Sequence, residues 1–90
     1  MNLLYSQAAL ADLRRIDAWL SAIEADLAAD AQAAIRQRIR DLLANPAIGS
    51  PLRGGRRKLA ERRFNYLILY RRDGDAVTIL RIRYAREDWR

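Results

Sequence analysis

The chain has no cysteine and no histidine among its 90 residues, only two prolines, one phenylalanine and a single lysine, Lys58. Without cysteine there are no disulfides, thiolate nucleophiles or cysteine–zinc sites, a usage that suits a reducing cytoplasm. Without histidine the commonest general base at neutral pH and the commonest metal ligand are both missing, so no metal or cofactor is expected. No apolar run approaches the roughly 20 residues of a membrane span. The amino terminus lacks a basic segment followed by an apolar stretch, so no signal peptide is expected either. What is present is globular: 51% of the residues are apolar and 31% charged. The length suits one domain, taken here as residues 1–90.

Charge is unevenly placed. Residues 1–50 carry a net charge of −1 and residues 51–90 a net charge of +7, which together make the formal +6. All but one of the 17 basic residues are arginine, whose planar fork suits carboxylate or phosphate. A basic carboxy-terminal half points to an acidic partner. Arginine-favouring codon usage and plain surface charge are the competing explanations, and charge alone does not choose between nucleic acid and an acidic protein.

Asn2 to Tyr5 reads as a short strand, and Ser6 as the N-cap of a helix. Ala9, Leu13, Ile16, Leu20 and Ile23 form one apolar stripe at helical spacing, and Leu27, Ala31, Ile35, Ile39 and Leu42 form a second. Asn45-Pro46 ends the second helix, because the residue before proline is pushed out of the helical region. A break within Ala22–Ala29, capped by Asp26 or Asp30, would fold the two stripes into an antiparallel hairpin. Residues 46–56 hold both prolines and three of the four glycines, and read as a loop. Phe64 to Tyr70 and Ala76 to Tyr84 read as strands joined at Asp73-Gly74. The predicted fold is α+β, in the order β-α-α-β-β-β, with the helical hairpin on one face of a small, mainly antiparallel sheet.

A turn at Asp73-Gly74 would pair Tyr70 with Val77, Ile68 with Ile79, Tyr66 with Arg81 and Phe64 with Arg83 on one face. The other face would pair Leu69 with Thr78, Leu67 with Leu80, Asn65 with Ile82 and Arg63 with Tyr84. Both faces are then apolar near the middle, and two helices can cover only one. The second would be left as a binding surface, unless long arginine stems cover it. Trp19 beside the first stripe is expected in the core, and Trp89 as a tail anchor. Asp12, Asp17 and Asp41 read as solvated charge. Gly54-Gly55 lacks the Gly-Lys-Ser/Thr sequence of a phosphate-cradling loop. Phe64 and Tyr66 opposite Arg83 and Arg81 could stack nucleic-acid bases, or simply form a core edge.

Several phrases together resemble one family. Asn45-Pro46-Ala47-Ile48-Gly49, Arg57-Lys58-Leu59, Tyr66-Leu67-Ile68-Leu69-Tyr70-Arg71 and Val77 to Arg86 occur in the order and places found in the RelE/ParE superfamily of toxins from bacterial type II toxin–antitoxin systems, closer to the ParE branch. The resemblance implies one of two activities. RelE-type members cut messenger RNA on the ribosome with basic side chains, whereas ParE-type members inhibit DNA gyrase by protein contact.

Carried across by resemblance, the nucleases' third-strand arginine falls on Leu67, and the last-strand histidine of some nucleases, common also in ParE-like members, falls on Tyr84. A nuclease here would have to use Lys58, Arg63, Arg81, Arg83 and Tyr84, and a tyrosine of pKa about 10 is a poor base at neutral pH. The resemblance therefore favours a gyrase inhibitor, with no catalytic residues, over a metal-independent ribonuclease or an inactive member that only binds antitoxin. It implies a toxin–antitoxin hetero-oligomer in which Leu67, Leu69, Leu80, Ile82 and Tyr84 dock an antitoxin segment. Arg62, Arg63, Arg71, Arg83 and Arg86 would give the basic surface around it. Neither membrane nor sequence-specific nucleic-acid binding is expected.

Overall fold

The computed structural model describes residues 1–86, so the expectation for Trp89 falls outside the described residues. Strand β1 (Asn2–Tyr5) leads into helix α1 (Gln7–Ile23) and helix α2 (Ala25–Ala44). Strands β2 (Ser50–Pro51), β3 (Arg56–Glu61), β4 (Tyr66–Asp73) and β5 (Ala76–Tyr84) follow. The sheet order is β1-β5-β4-β3-β2, antiparallel except where β1 runs parallel to β5. The expected order of elements is present. The segment read as a loop adds β2, a two-residue strand pairing Ser50 with Lys58 and Pro51 with Arg57, and a short 3-10 helix at Arg53–Gly55. A proline on this edge strand removes a backbone donor and discourages further strand addition.

Ser6 caps α1 as its position predicts. Its hydroxyl accepts the Ala9 N–H at 3.0 Å and donates to the Leu80 carbonyl at 2.7 Å, tying the helix start to β5. The two helices part at Glu24, whose extended backbone (φ −162°, ψ 132°) ends one helix and begins the next. Neither Asp26 nor Asp30 is the cap. Asp26 lies in the first turn of α2, where its charge suits the helix dipole, and Asp30 is a turn further on. The second stripe is buried through Ala31, Ile35, Ile39 and Leu42, and packs with Ile16 and Leu20 of α1 against the sheet.

The turn after α2 is held by a single phenol. Tyr70, fully buried, donates its hydroxyl hydrogen to the Pro46 carbonyl at 2.7 Å and accepts the Gly49 N–H at 2.9 Å. A Cβ on Gly49 would stand 2.7 Å from both the Lys58 carbonyl oxygen and the Tyr70 hydroxyl, so only glycine lets the loop approach this closely. Arg57 donates to the Gly49 carbonyl at 2.7 Å from the same strand that pairs with Tyr70. The Asn-Pro-Ala-Ile-Gly phrase is thus a docking element for β3 and β4.

The β4–β5 hairpin differs from expectation in register. Asp73 pairs with Ala76, which makes Gly74 and Asp75 the turn residues, one place later than Asp73-Gly74 implies. Gly74 takes the left-handed φ of 60° that such a turn requires. Tyr70 then pairs with Ile79, but the next rung joins Leu69 to Arg81, so Leu80 is the extra residue of a β-bulge. Beyond it β5 is turned over: Ile82 pairs with Ile68 and Tyr84 with Tyr66, both towards the helices, while Arg81 and Arg83 pair with Leu69 and Leu67. The expected pairs Tyr66–Arg81, Phe64–Arg83, Leu67–Leu80, Asn65–Ile82 and Arg63–Tyr84 do not form. Phe64 and Asn65 belong to the preceding turn, where Asn65 has a φ of 68°, tolerable for asparagine.

Tyr70→Phe would leave the Gly49 N–H and Pro46 carbonyl without their partner, and should cost about 1–3 kcal/mol in urea unfolding. Gly49→Ala should cost about as much through overpacking, by the same measurement.

Candidate functional site

The helices cover the sheet face formed by Leu59, Tyr66, Ile68, Tyr70, Val77, Ile79 and Ile82. No element among the described residues covers the other. On that outer face the central strand presents Leu67 and Leu69. Ala60 and Lys58 flank them on β3, and Arg83 and Arg81 on β5. Leu69 is only 5% exposed although it lies outside the core cluster, with Lys58 and Arg81 opposite it on the neighbouring strands. Leu67 is half-buried, as is Leu80 at the bulge, and Leu4 lies at the margin, opposite Thr78. The face is an apolar strip bordered by cations.

The bulge divides the residues that the sequence groups as one docking surface. Leu67, Leu69 and Leu80 stay on the outer face. Ile82 is fully buried among the core residues, and Tyr84 meets Tyr66 edge-on, ring centroids 6.0 Å apart, on the helix side. The cations and tyrosine available to a nuclease are scattered too. Lys58, Arg81 and Arg83 share the outer face and Tyr84 lies behind it. Arg63 sits in the β3–β4 turn, its guanidinium 5.1 Å from the Phe64 ring centroid and 3.9 Å from Asp30. Among the basic-surface residues, Arg62 and Arg86 are exposed and Arg71 donates to the Gly54 carbonyl at 3.1 Å.

Asp12 corrects the reading of solvated charge. It is 1% exposed and receives Arg81 through two bonds, Nε at 2.8 Å and Nη2 at 3.1 Å. It also accepts the Ile82 N–H at 2.9 Å and Arg15 at 3.0 Å. Burial pushes this carboxyl up, but the hydrogen bonds from Arg81, Ile82 and Arg15 outweigh it and hold it below its ordinary value. The signal was available in the spacing, since Ala9, Asp12, Ile16 and Leu20 follow one another at three, four and four residues. Asp17 stays exposed. Asp41 forms a half-buried pair with Arg38 at 2.9 Å.

Trp19, expected in the core, is 58% exposed. With Arg15, Ile16, Tyr66 and Tyr84 it lines a cleft of about 440 Å³ between α1 and the ends of β4 and β5. Among the described residues no group of three or more acidic side chains is placed to hold a metal, and no helix is long and apolar enough to cross a membrane.

Residues 3–89 match the family model described as the ParE toxin of the type II toxin–antitoxin system parDE. The chain belongs to the ParE toxin family. Among solved structures it is similar to a chain of the chromosomal ParDE toxin–antitoxin system from P. aeruginosa, at 30% identity and a TM-score of 0.78, over 93% of this chain and 95% of that one. The fold is shared with a chain of the intact E. coli RelBE toxin–antitoxin complex, at 19% identity and a TM-score of 0.72, over 96% and 98% of the two chains. It is shared again with a YoeB/ParE toxin from Agrobacterium tumefaciens, at 18% identity and a TM-score of 0.65, over 93% and 98%. No curated protein matches the sequence.

Asp12 binds fewer protons folded than unfolded, so its stabilisation is present above the ordinary carboxyl value of 3.8 and disappears as pH falls through its lower folded value. Asp12→Asn should cost about 2 kcal/mol at neutral pH, a figure reduced because Arg81 is partly solvated. The gap from wild type, followed by chemical denaturation, should close below the ordinary carboxyl range.

Proposed function

We propose that this ParE-type toxin inhibits DNA gyrase through protein contact, and that a cognate antitoxin neutralises it by laying an acidic, partly apolar segment across the outer face of the sheet. The observation that carries this reading is the position of Leu67. At the centre of the uncovered face, where phosphate chemistry would need a cation, stands a half-buried leucine with Leu69 beside it. Of the two arginines that β5 sets beside the strip, Arg83 stands opposite Leu67, and Arg81, opposite Leu69, holds Asp12 in a two-pronged pair. Tyr84, the tyrosine of the nuclease alternative, lies on the opposite side of the sheet from Lys58 and Arg83. An apolar strip with a basic border suits an extended peptide whose carboxylates meet the rim. The likeness to a ParDE chain adds to this reading. Gyrase as the target comes from the family, because fold alone does not carry a target.

Induction in bacteria lacking the antitoxin, with thymidine and methionine incorporation followed together, tests the target. Thymidine incorporation and plasmid supercoiling should fall first. A collapse of methionine incorporation within minutes would instead establish messenger RNA cleavage. Leu67→Glu should weaken antitoxin binding at least about tenfold while the circular dichroism spectrum stays unchanged, since it places a charge in the apolar strip. Unaltered affinity would remove the outer face from the antitoxin site.

A further inference from the structure

Arg56 and Arg71 stand directly opposite one another on β3 and β4, on the same face as Leu67 and Leu69 but at its other end. Cross-strand partners have Cβ atoms about 5 Å apart, so two like charges in these places repel. No carboxylate relieves them. Among the described residues neither arginine is in an ion pair, and Asp73, the next outward position on β4, is in none either.

Each is tied instead to the Arg53–Gly55 turn. Arg56 donates through Nε to the Arg53 carbonyl at 3.0 Å, and Arg71 through Nη2 to the Gly54 carbonyl at 3.1 Å. Gly54 and Gly55, with φ of 72° and 75°, let the turn take the tight left-handed path on which these carbonyls are offered. A guanidinium has five N–H donors, so one bond to a carbonyl leaves most of the fork and all of its charge for a ligand. Tethering also reduces the side-chain entropy lost on binding. Arg53 in the turn and Lys58, about 7 Å along β3 from Arg56, are both exposed and extend the cluster to four cations.

The surroundings select the ligand. Of the large apolar side chains exposed on the described residues, none lies on β3, on β4 or in this turn. A protein contact draws its affinity from such anchors, whereas contact with a phosphate backbone does not require them. A single nucleic-acid strand needs aromatic rings on which its bases stack, and Tyr66, Tyr70 and Tyr84 all face the helices. A duplex keeps its bases stacked within and presents phosphates outward, which arginine forks match.

We propose that this corner of the sheet holds the phosphate backbone of duplex DNA without preference for sequence, Arg56 and Arg71 gripping phosphate oxygens with Arg53 and Lys58 beside them. Leu67 is four residues from Arg71, about 13 Å along β4, so the corner is separable from the centre of the apolar strip. The inference is independent of the gyrase and antitoxin readings, because purified toxin and DNA suffice to test it.

Fluorescence anisotropy of the full chain with a labelled, mixed-sequence DNA duplex provides that test. Wild type should bind, with affinity falling steeply as salt rises. Arg56→Gln combined with Arg71→Gln should weaken binding at least about tenfold at low salt, and should reduce the slope of log affinity against log salt by about two. Arg14→Gln combined with Arg40→Gln, an equal loss of charge from exposed positions on the helices, should weaken it only a few-fold. Arg71→Lys, which keeps the charge and loses the fork, should fall between wild type and the Arg56/Arg71 variant, and circular dichroism should show all variants folded. Absence of binding by wild type, equal weakening by the two double variants, or tighter binding of single-stranded DNA or double-stranded RNA would overturn the proposal. So would unchanged DNA affinity of the Arg56/Arg71 variant alongside weaker binding of the cognate antitoxin, which would assign the corner to an acidic protein segment.

Discussion

β1 accompanies β5 only from Ala76 to Ile79, and beyond that point the edge of β5 is met by the start of α1. Ser6 takes over first, its N–H donating to the Ile79 carbonyl at 2.9 Å and its hydroxyl to that of Leu80. Asp12 follows two turns into the helix, accepting the Ile82 N–H that no strand reaches and clasping Arg81 beside it. The β-bulge lies at the same place. An irregular strand edge left unpaired in the interior would be costly, and one carboxylate with several donors satisfies it. No buried polar side-chain atom among the described residues is left without a partner. The arrangement locks α1 against β5 and assigns each residue after Leu80 to its face. The outer strip and the cleft beside Trp19 both follow from it: the strip keeps Arg83 because of the bulge, and the cleft receives Tyr84 for the same reason.

Much of this architecture was legible in the residues. Helical stripes, the serine cap, the Asn-Pro stop and the apolar central strand each act through local geometry, and local geometry is written in short spacings. The faces of β5 were not legible. Alternation along that strand is apolar on both sides, and one extra residue moves every later side chain to the opposite face. A reading that pairs Leu67 with Leu80 assembles a continuous apolar groove. Leu67 paired with Arg83 gives a narrower strip with charge at its border. The glycine at position 74 fits a turn beginning at either Asp73 or Gly74 itself, and only the pairing with β1 and the helices selects the later one. Asp12 was missed for a related reason. Its spacing placed it on the buried stripe, but its charge argued for water, and its partners come from a strand 69 and 70 positions away.

The arginine-rich half of the chain also reads differently in three dimensions. Arg57 donates to the carbonyls of Ala47 and Gly49, Arg56 to Arg53, Arg71 to Gly54 and Arg72 to Gly74. Loops rich in glycine and proline leave carbonyls unpaired, and the guanidinium fork reaches them from neighbouring strands. These bonds fix the side chains without neutralising them. The domain therefore keeps its positive field while many of its cations are structurally engaged. Such a field guides an acidic chain towards the surface and weakens with salt.

The same economy of surface bears on how a toxin of this size would be neutralised. Its two helices occupy most of one side of the sheet, β2 closes one edge with proline, and the helix start closes half of the other. The outer strip remains as apolar ground on which a partner can find affinity, beside exposed apolar side chains on the helices such as Leu10, Trp19 and Ile23. Charged side chains around them add rate and selectivity more than strength. An antitoxin and a protein target drawn to this chain would therefore meet on overlapping ground. On the reading proposed above, neutralisation needs no conformational change in the toxin: an antitoxin segment that fills the strip takes up apolar ground that a protein target would compete for.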